Sequence, residues 1–210
     1  TRISYLCACA ANHMDLKRAV EIANCAAGLQ VAKVGTSAVC ADEVLETFRN
    51  EKEGIIHKLV DYKKAEDIRR IHEKKKIVFT NGCFDILHVG HVRYLHEASK
   101  LGDLLIVGLN SDSSVTRLKG ENRPINTERE RAEILCALEY VDYVILFDED
   151  TPYELIKMIQ PDVLVKGNDY KPNEVIGKDI VEARGGSLEL IQFVEGKSTT
   201  NIVNKIIFTQ

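Results

Sequence analysis

Ile77-Val-Phe-Thr-Asn-Gly-Cys-Phe-Asp-Ile-Leu-His-Val-Gly-His91 starts as an apolar run, breaks at a glycine and ends in a helix start. The β-branched and aromatic run Ile77–Thr80 predicts a strand, and the spacing from Val89 to Lys100 predicts a helix. The same alternation continues to the end of the chain. Strands are expected at Asp103–Leu109, Asp142–Phe147, Asp162–Val165 and Leu188–Phe193, and helices at Glu128–Leu138, Pro152–Ile159, Asp179–Arg184 and Ser198–Ile206. Apolar strands separated by helices predict an α/β, Rossmann-like fold, a parallel five-stranded sheet with helices on both faces. Ligands of such sheets bind beyond the carboxyl ends of the strands, near the point where the strand order reverses. The residues just after each strand are therefore the ones to read for function.

After the first strand, Gly82 lets backbone approach a ligand closely. His88 and His91, three apart at a helix start, project on one face. Free N–H groups and the helix dipole favour anions there, and two imidazoles add donors for phosphate oxygens. After the second strand come Asn110-Ser-Asp112 and Leu118-Lys-Gly-Glu-Asn-Arg-Pro124, read as a flexible loop that brings Lys119 and Arg123 over phosphates. Arg129 and Arg131 follow at a helix start, Arg129 on the surface. Lys166-Gly-Asn-Asp-Tyr170 follows the fourth strand, with Gly167 again permitting close approach. Ser198 caps the last helix in Lys197-Ser-Thr-Thr200, a second anion site of the same kind.

The rest of the chain sets limits. With 210 residues, 45% hydrophobic and 29% charged, the composition is that of a folded globular protein. A net charge of −4 argues against nucleic acid as a partner. No apolar run reaches membrane-spanning length, so no membrane association is expected. The chain starts at Thr1 without a basic, cleavable leader, so a cytoplasmic protein is expected, and without an initiator Met its start reads as a cut edge. The six cysteines lie mostly in apolar or Ala-rich stretches and read as reduced thiols.

Three segments are distinguished. Residues 1–50 carry no net charge and predict three helices: Ile3–Ala11, a second capped by Asp15 and ending near Gly28, and Ala41–Phe48. A short extended stretch falls at Val31–Thr36. Apolar on more than one face, these helices predict docking or self-association, a homodimer being expected. Residues 51–76, net +3, predict a linker and a charged helix, Tyr62–Lys75, with Ala65, Ile68 and Ile71 as its apolar stripe. Residues 77–210 form the expected catalytic domain and carry −7.

The stretch Asn81–His91 resembles the H-x-G-H signature of the nucleotidyltransferases, in the G-x-F-D-x-x-H-x-G-H form of their cytidylyltransferase-like branch. Within that branch Thr80–His91, Asn110–Asp112, Leu118–Pro124, Glu149-Asp-Thr-Pro152, Leu164–Pro172 and Ser198-Thr-Thr-Asn-Ile202 resemble the adenylyltransferase domain of bifunctional heptose kinase/adenylyltransferases. Two positions depart from the pattern: Asn168, where Gly is expected, and Lys197, where a small or neutral residue is expected. Residues 1–50 resemble the C-terminal end of a ribokinase-like sugar kinase through Glu21–Gly28 and Val31–Ser37. That family's catalytic Gly-Ala-Gly-Asp motif is absent, so no kinase activity is expected.

The resemblance implies transfer of AMP from ATP to a heptose 1-phosphate with release of pyrophosphate. It implies catalytic roles for His88, His91, Lys119 and Arg131. Nucleotide binding is implied for Thr80, Asn81, Gly82, Cys83, Phe84, Gly90, Lys166, Gly167, Asp169, Ser198, Thr199 and Thr200. Asn110, Asp112 and Arg123 are implied at the sugar phosphate, Asp85 as an orienting residue, and Mg2+ as a companion of ATP with no direct protein ligand. Two other readings stand beside this one: a cytidylyltransferase for an alcohol phosphate such as glycerol 3-phosphate, and a non-catalytic nucleotide-binding or assembly module.

Overall fold

A computed structural model describes residues 1–33, 38–45, 47, 54–168, 170–192 and 205. The chain divides into two compact units, Thr1–His57 and Lys58–Gln210.

In the first unit, helix α1 (Arg2–Ala11) pairs with helix α2 (Leu16–Ala32). The Asp15 carboxylate accepts from the Arg18 amide at the start of α2. Small residues let the helices approach: Ala19, Ala23 and Ala26 are buried. The expected stop at Gly28 does not occur. Helix α2 runs through it to Ala32, so Val31 is helical and largely exposed rather than extended. Residues 41–45 are helical, and 34–37 lie outside the described residues.

The second unit is built on six parallel strands: β1 (Leu59–Val60), β2 (Ile77–Gly82), β3 (Leu104–Asn110), β4 (Tyr143–Phe147), β5 (Val163–Gly167) and β6 (Ser187–Ile191), in the order β1-β4-β3-β2-β5-β6. The five expected strands are present. The sixth, β1, is two residues long and comes from the segment read as a linker, too short to leave a periodic signal. Helix α3 (Ala65–Ile71) begins later than expected because Tyr62–Lys64 forms a 3-10 turn. Of its apolar stripe, Ala65 and Ile68 are buried, whereas Ile71 is 69% exposed.

Alternate strand residues face opposite layers, as the pleat requires. Val78, Leu105, Val107 and Leu109 pack in one core with helices α4 (Val89–Ser99) and α6 (Glu128–Cys136). Ile77, Phe79, Leu104 and Ile106 pack in the other with α3, α7 (Tyr153–Ile159) and α8 (Lys178–Ala183). Helix α5 (Asp112–Lys119) follows β3, where a loop was expected. Its signals are local: Ser111 caps the start, and Gly120 at φ +98° stops it.

Three strands start one residue later than read, for one reason. Asp103, Asp142 and Asp162 stand just outside the ladder, and their carboxylates accept from the amides of Lys76, Leu105 and Ile77, each at 2.7 Å. Asp162 also pairs with Arg69 of α3 at 2.8 Å. Residues 58–76 thus supply an edge strand, a buried helix face and an anchor for β2. A chain starting at Lys58 is expected to unfold cooperatively like the intact second unit. One starting at Ile77 is expected to lose at least ~3 kcal/mol, as Ile77, Phe79 and Leu104 lose their cover. Denaturant titration of the two chains checks this.

Candidate functional site

The strand order reverses at β2: the chain leaves it for β3 and β4 on one side and returns to β5 and β6 on the other. The crevice of such a sheet opens there, beyond the carboxyl ends of β2 and β5. Asn81 near the end of β2 and Lys166 in β5 meet across it: the Lys166 ammonium donates to Asn81 Oδ1 and lies 5.3 Å from the Tyr170 ring. Gly167, the last residue of β5, accepts from the Tyr170 amide at 3.2 Å.

The H-x-G-H stretch stands over this point. His88 is the N-cap of α4, and its Nδ1 accepts from the Gly90 amide at 3.1 Å. An accepting Nδ1 leaves the hydrogen of the neutral ring on Nε2, which makes Nε2 a donor. The His91 ring stacks on His88 with centroids 3.9 Å apart and meets the edge of Phe84 at 5.2 Å. Burial, with His88 beside it, pushes the His91 pKa down to about 4, and its Nδ1 is buried with no hydrogen-bond partner among the described residues. Phe84 is buried in the left-handed region at φ +44°, a costly conformation for an aromatic residue. Gly82 makes room for it, since a Cβ there would stand 3.1 Å from the Phe84 ring.

Asp85, 3% exposed, holds the loop before α6 against the motif. Its carboxylate accepts from Arg123 Nε and from the amides of Ile125 (2.7 Å) and Asn126 (3.1 Å), and its carbonyl accepts from Asn126 Nδ2.

Four expected site residues are engaged by protein groups. Arg131, expected to clamp phosphate, is turned to protein groups in this structure. Its side chain has no exposed surface and donates to the carbonyls of Cys83 (2.6 Å), Asn110 (2.8 Å) and Asn126 (3.0 Å) and to Asp112 (2.7 Å). Thr80 is fully buried and bonds the Tyr94 hydroxyl at 2.7 Å, so its side chain lies beneath the crevice, not in it. Arg123 is engaged by Asp85, and the Asn110 amide by Ser114.

Lys119 is exposed at the end of α5. Burial pushes the Cys83 thiol up, while Lys119, Arg131 and Arg123 pull it down, so all three cations act on the motif loop. Arg129 is exposed, as read. Gly90 is buried in the first turn of α4. Asp169, Lys197 and Ser198, Thr199 and Thr200 with the last helix lie outside the described residues; Asn168 is exposed and donates its amide to the Ile191 carbonyl. Sequence reasoning missed Tyr94, whose hydroxyl joins Thr80 to the Val165 carbonyl at 3.1 Å. It stands three residues after His91, on the same face of α4, and that spacing is the signal that points to it.

Two outcomes follow. Arg131→Ala is expected to cost roughly 3–5 kcal/mol in chemical unfolding, with Arg131→Lys recovering little of it, because three carbonyls lose a planar donor. A phosphate clamp on the surface would leave stability unchanged. His91 takes up its proton at a lower pH in the folded state than in the unfolded chain. Its contribution is therefore full above pH 6.5 and is lost as pH falls towards about 4. His91→Phe is expected to flatten thermal stability across that window.

Comparison with known proteins bears on the same segment. The model of the family described as Cytidylyltransferase-like matches residues 79–204. The chain is 56% identical over 198 residues to a protein of Campylobacter concisus named Bifunctional protein HldE, covering 93% of this chain and 41% of that protein. It is 52% identical over 209 residues to a protein of the same name from Citrifermentans bemidjiense, covering 99% and 43%. The chain thus spans about two fifths of the length of these relatives. A crystal structure titled as the lipopolysaccharide core biosynthesis protein from Thermoplasma volcanium is 30% identical, covers 59% of this chain and 99% of that one, and aligns with a TM-score of 0.49.

Proposed function

We propose a reaction for this chain from one premise: it belongs to the cytidylyltransferase-like family. The reaction is adenylyl transfer to D-glycero-β-D-manno-heptose 1-phosphate. A phosphate oxygen of the sugar attacks the α-phosphorus of ATP in line. The bond from that phosphorus to the bridging oxygen breaks, and ADP-heptose and pyrophosphate leave. This is a cytoplasmic step that supplies lipopolysaccharide core synthesis. The observation that carries the reading is the stacked His88–His91 pair at the start of α4, over the switch point. The sugar is argued from the motif resemblance alone.

The acceptor phosphate is already a nucleophile, so the residues' task is positioning and charge stabilisation. His88 offers Nε2–H, and the first turn of α4 offers free amides to the triphosphate. His91 is neutral at pH 7 without ligand, and phosphate oxygens beside it raise its affinity for a proton. Lys119 adds positive charge at the motif loop, and Lys166 borders the nucleotide side. Arg131 and Asp85 act from behind, by holding the loops. Asn110 and Asp112 border the acceptor side. Mg2+, held by ATP rather than by a direct protein ligand, would supply charge neutralisation on the triphosphate. Among the described residues no group of three or more His, Cys, Asp or Glu is gathered to hold a metal, and no helix is long and apolar enough to cross a membrane.

Residues 1–50 are read as the end of a sugar kinase. Ile3, Leu16 and Val31, exposed there, support the proposed self-association.

Pyrophosphate release, measured with ATP and CTP against a panel of sugar and alcohol phosphates, tests the reading. Turnover is expected with ATP and the heptose 1-phosphate, and His91→Ala is expected to reduce kcat by about 10²-fold or more with its far-UV spectrum unchanged. Preference for CTP and an alcohol phosphate would replace the reading with the rival transferase. Nucleotide binding without turnover would replace it with a binding module.

A further inference from the structure

We propose that Tyr62, which lies before the family-matched segment, is a positioning residue for the acceptor side of the site. The inference rests on the transfer reaction proposed above. Tyr62 sits in the 3-10 turn after β1, with its ring packed against the core beneath the sheet. Its hydroxyl donates to Glu149 Oε1 at 2.5 Å. Burial and the Glu149 carboxylate raise its pKa, so it stays a donor at any working pH.

Glu149 belongs to the turn after β4, and that turn is fastened to α5 from several directions. The Glu149 carbonyl accepts from the fully buried Ser114 hydroxyl at 3.3 Å, which in turn accepts from the Asn110 amide at 3.0 Å. Asp148 accepts from the hydroxyls of Ser111 and Ser113. Arg117 bonds Asp150 at 2.8 Å. The Asn110 carbonyl is one of the three that hold Arg131. The turn, Tyr62 and Arg117 together line an open groove at the end of β4.

The geometry assigns this groove side, two strands from β2, to the acceptor rather than the nucleotide, which the β2–β5 crevice takes. Without the Tyr62 bond, the Glu149 carboxylate keeps only the Asp148 amide of its own turn, at 3.1 Å, among the described partners, and loses its tie to the segment before β2, so the turn is freer to shift against α5.

Steady-state kinetics of Tyr62→Phe, Glu149→Ala and the double variant test this, beside hydrogen exchange of the amides at 111–114 and 148–150. Phenylalanine keeps the ring packing and removes only the bond. Each single variant is expected to raise KM for the sugar phosphate about tenfold, with KM for ATP and kcat within about twofold. The double variant is expected to match Glu149→Ala alone, since both act through one bond. Exchange is expected to quicken at 111–114 and 148–150 and to stay unchanged in β2 and β5. Additive effects, an equal rise in KM for ATP, or an unchanged Tyr62→Phe would overturn the proposal. If the unaltered protein made no pyrophosphate, the transfer reading itself would fall. The exchange data would then still report whether Tyr62 holds the turn.

Discussion

The guanidinium of Arg131 is the interaction on which the ligand end of the second unit depends. A buried cation is tolerable only when its donors are answered. Here the carbonyls of Cys83, Asn110 and Asn126 and the carboxylate of Asp112 answer them. These four groups come from the motif loop, the end of β3, the start of α5 and the loop before α6. Of the four, only Asn110 is held by a strand ladder, opposite Phe147. The planar fork of one side chain sets their mutual distance, and that is a task lysine cannot do.

Asp85 repeats the arrangement with opposite sign. Its nearly buried carboxylate gathers the Arg123 side chain and two backbone amides from the loop before α6. Arg131 and Asp85 therefore brace the same motif loop from two directions. Between them the chain holds Phe84 at positive φ and sets the His91 ring against it. The low proton affinity of His91 follows from this packing: the loop is dense enough to exclude water from Nδ1, and among the described residues no group replaces the lost solvation there.

Much of this was legible in the residues and part was not, for physical reasons. Continuous apolar strands such as Leu104–Asn110 and the Val89 helix start carry strong periodic signals, so sheet and switch point could be read directly. The capping of β2 and β3 by aspartates left only a one-residue error at strand starts. Strand β1 and helix α5 escaped because two residues have no period, and because Ser, Thr and Asp in α5 favour turns as readily as helices. The roles of Arg123 and Arg131 escaped for another reason. A positive residue beside a phosphate motif invites a ligand in any sequence reading. Whether a carboxylate or a set of carbonyls takes it first depends on contacts 19 and 48 residues away in the chain.

That distinction changes the electrostatics of the proposed site. Residues 77–210 carry −7, yet the proposed substrates are polyanions. If all the cations near the strand ends faced the ligand, charge alone could hold a triphosphate. In fact Arg131 is paired with Asp112 and Arg123 with Asp85, and the Lys166 ammonium is turned to Asn81. Lys119, exposed and without an ion pair among the described residues, keeps its charge open, joined by the dipole and amides of α4 and by an imidazole that is neutral until a ligand arrives. Such a site attracts a bare triphosphate weakly and one carrying a divalent cation better, since the metal removes charge that the protein does not oppose. A divalent cation on the nucleotide is then the expected complement, in the proposed reaction, to a fold that uses Arg123 and Arg131 to hold loops.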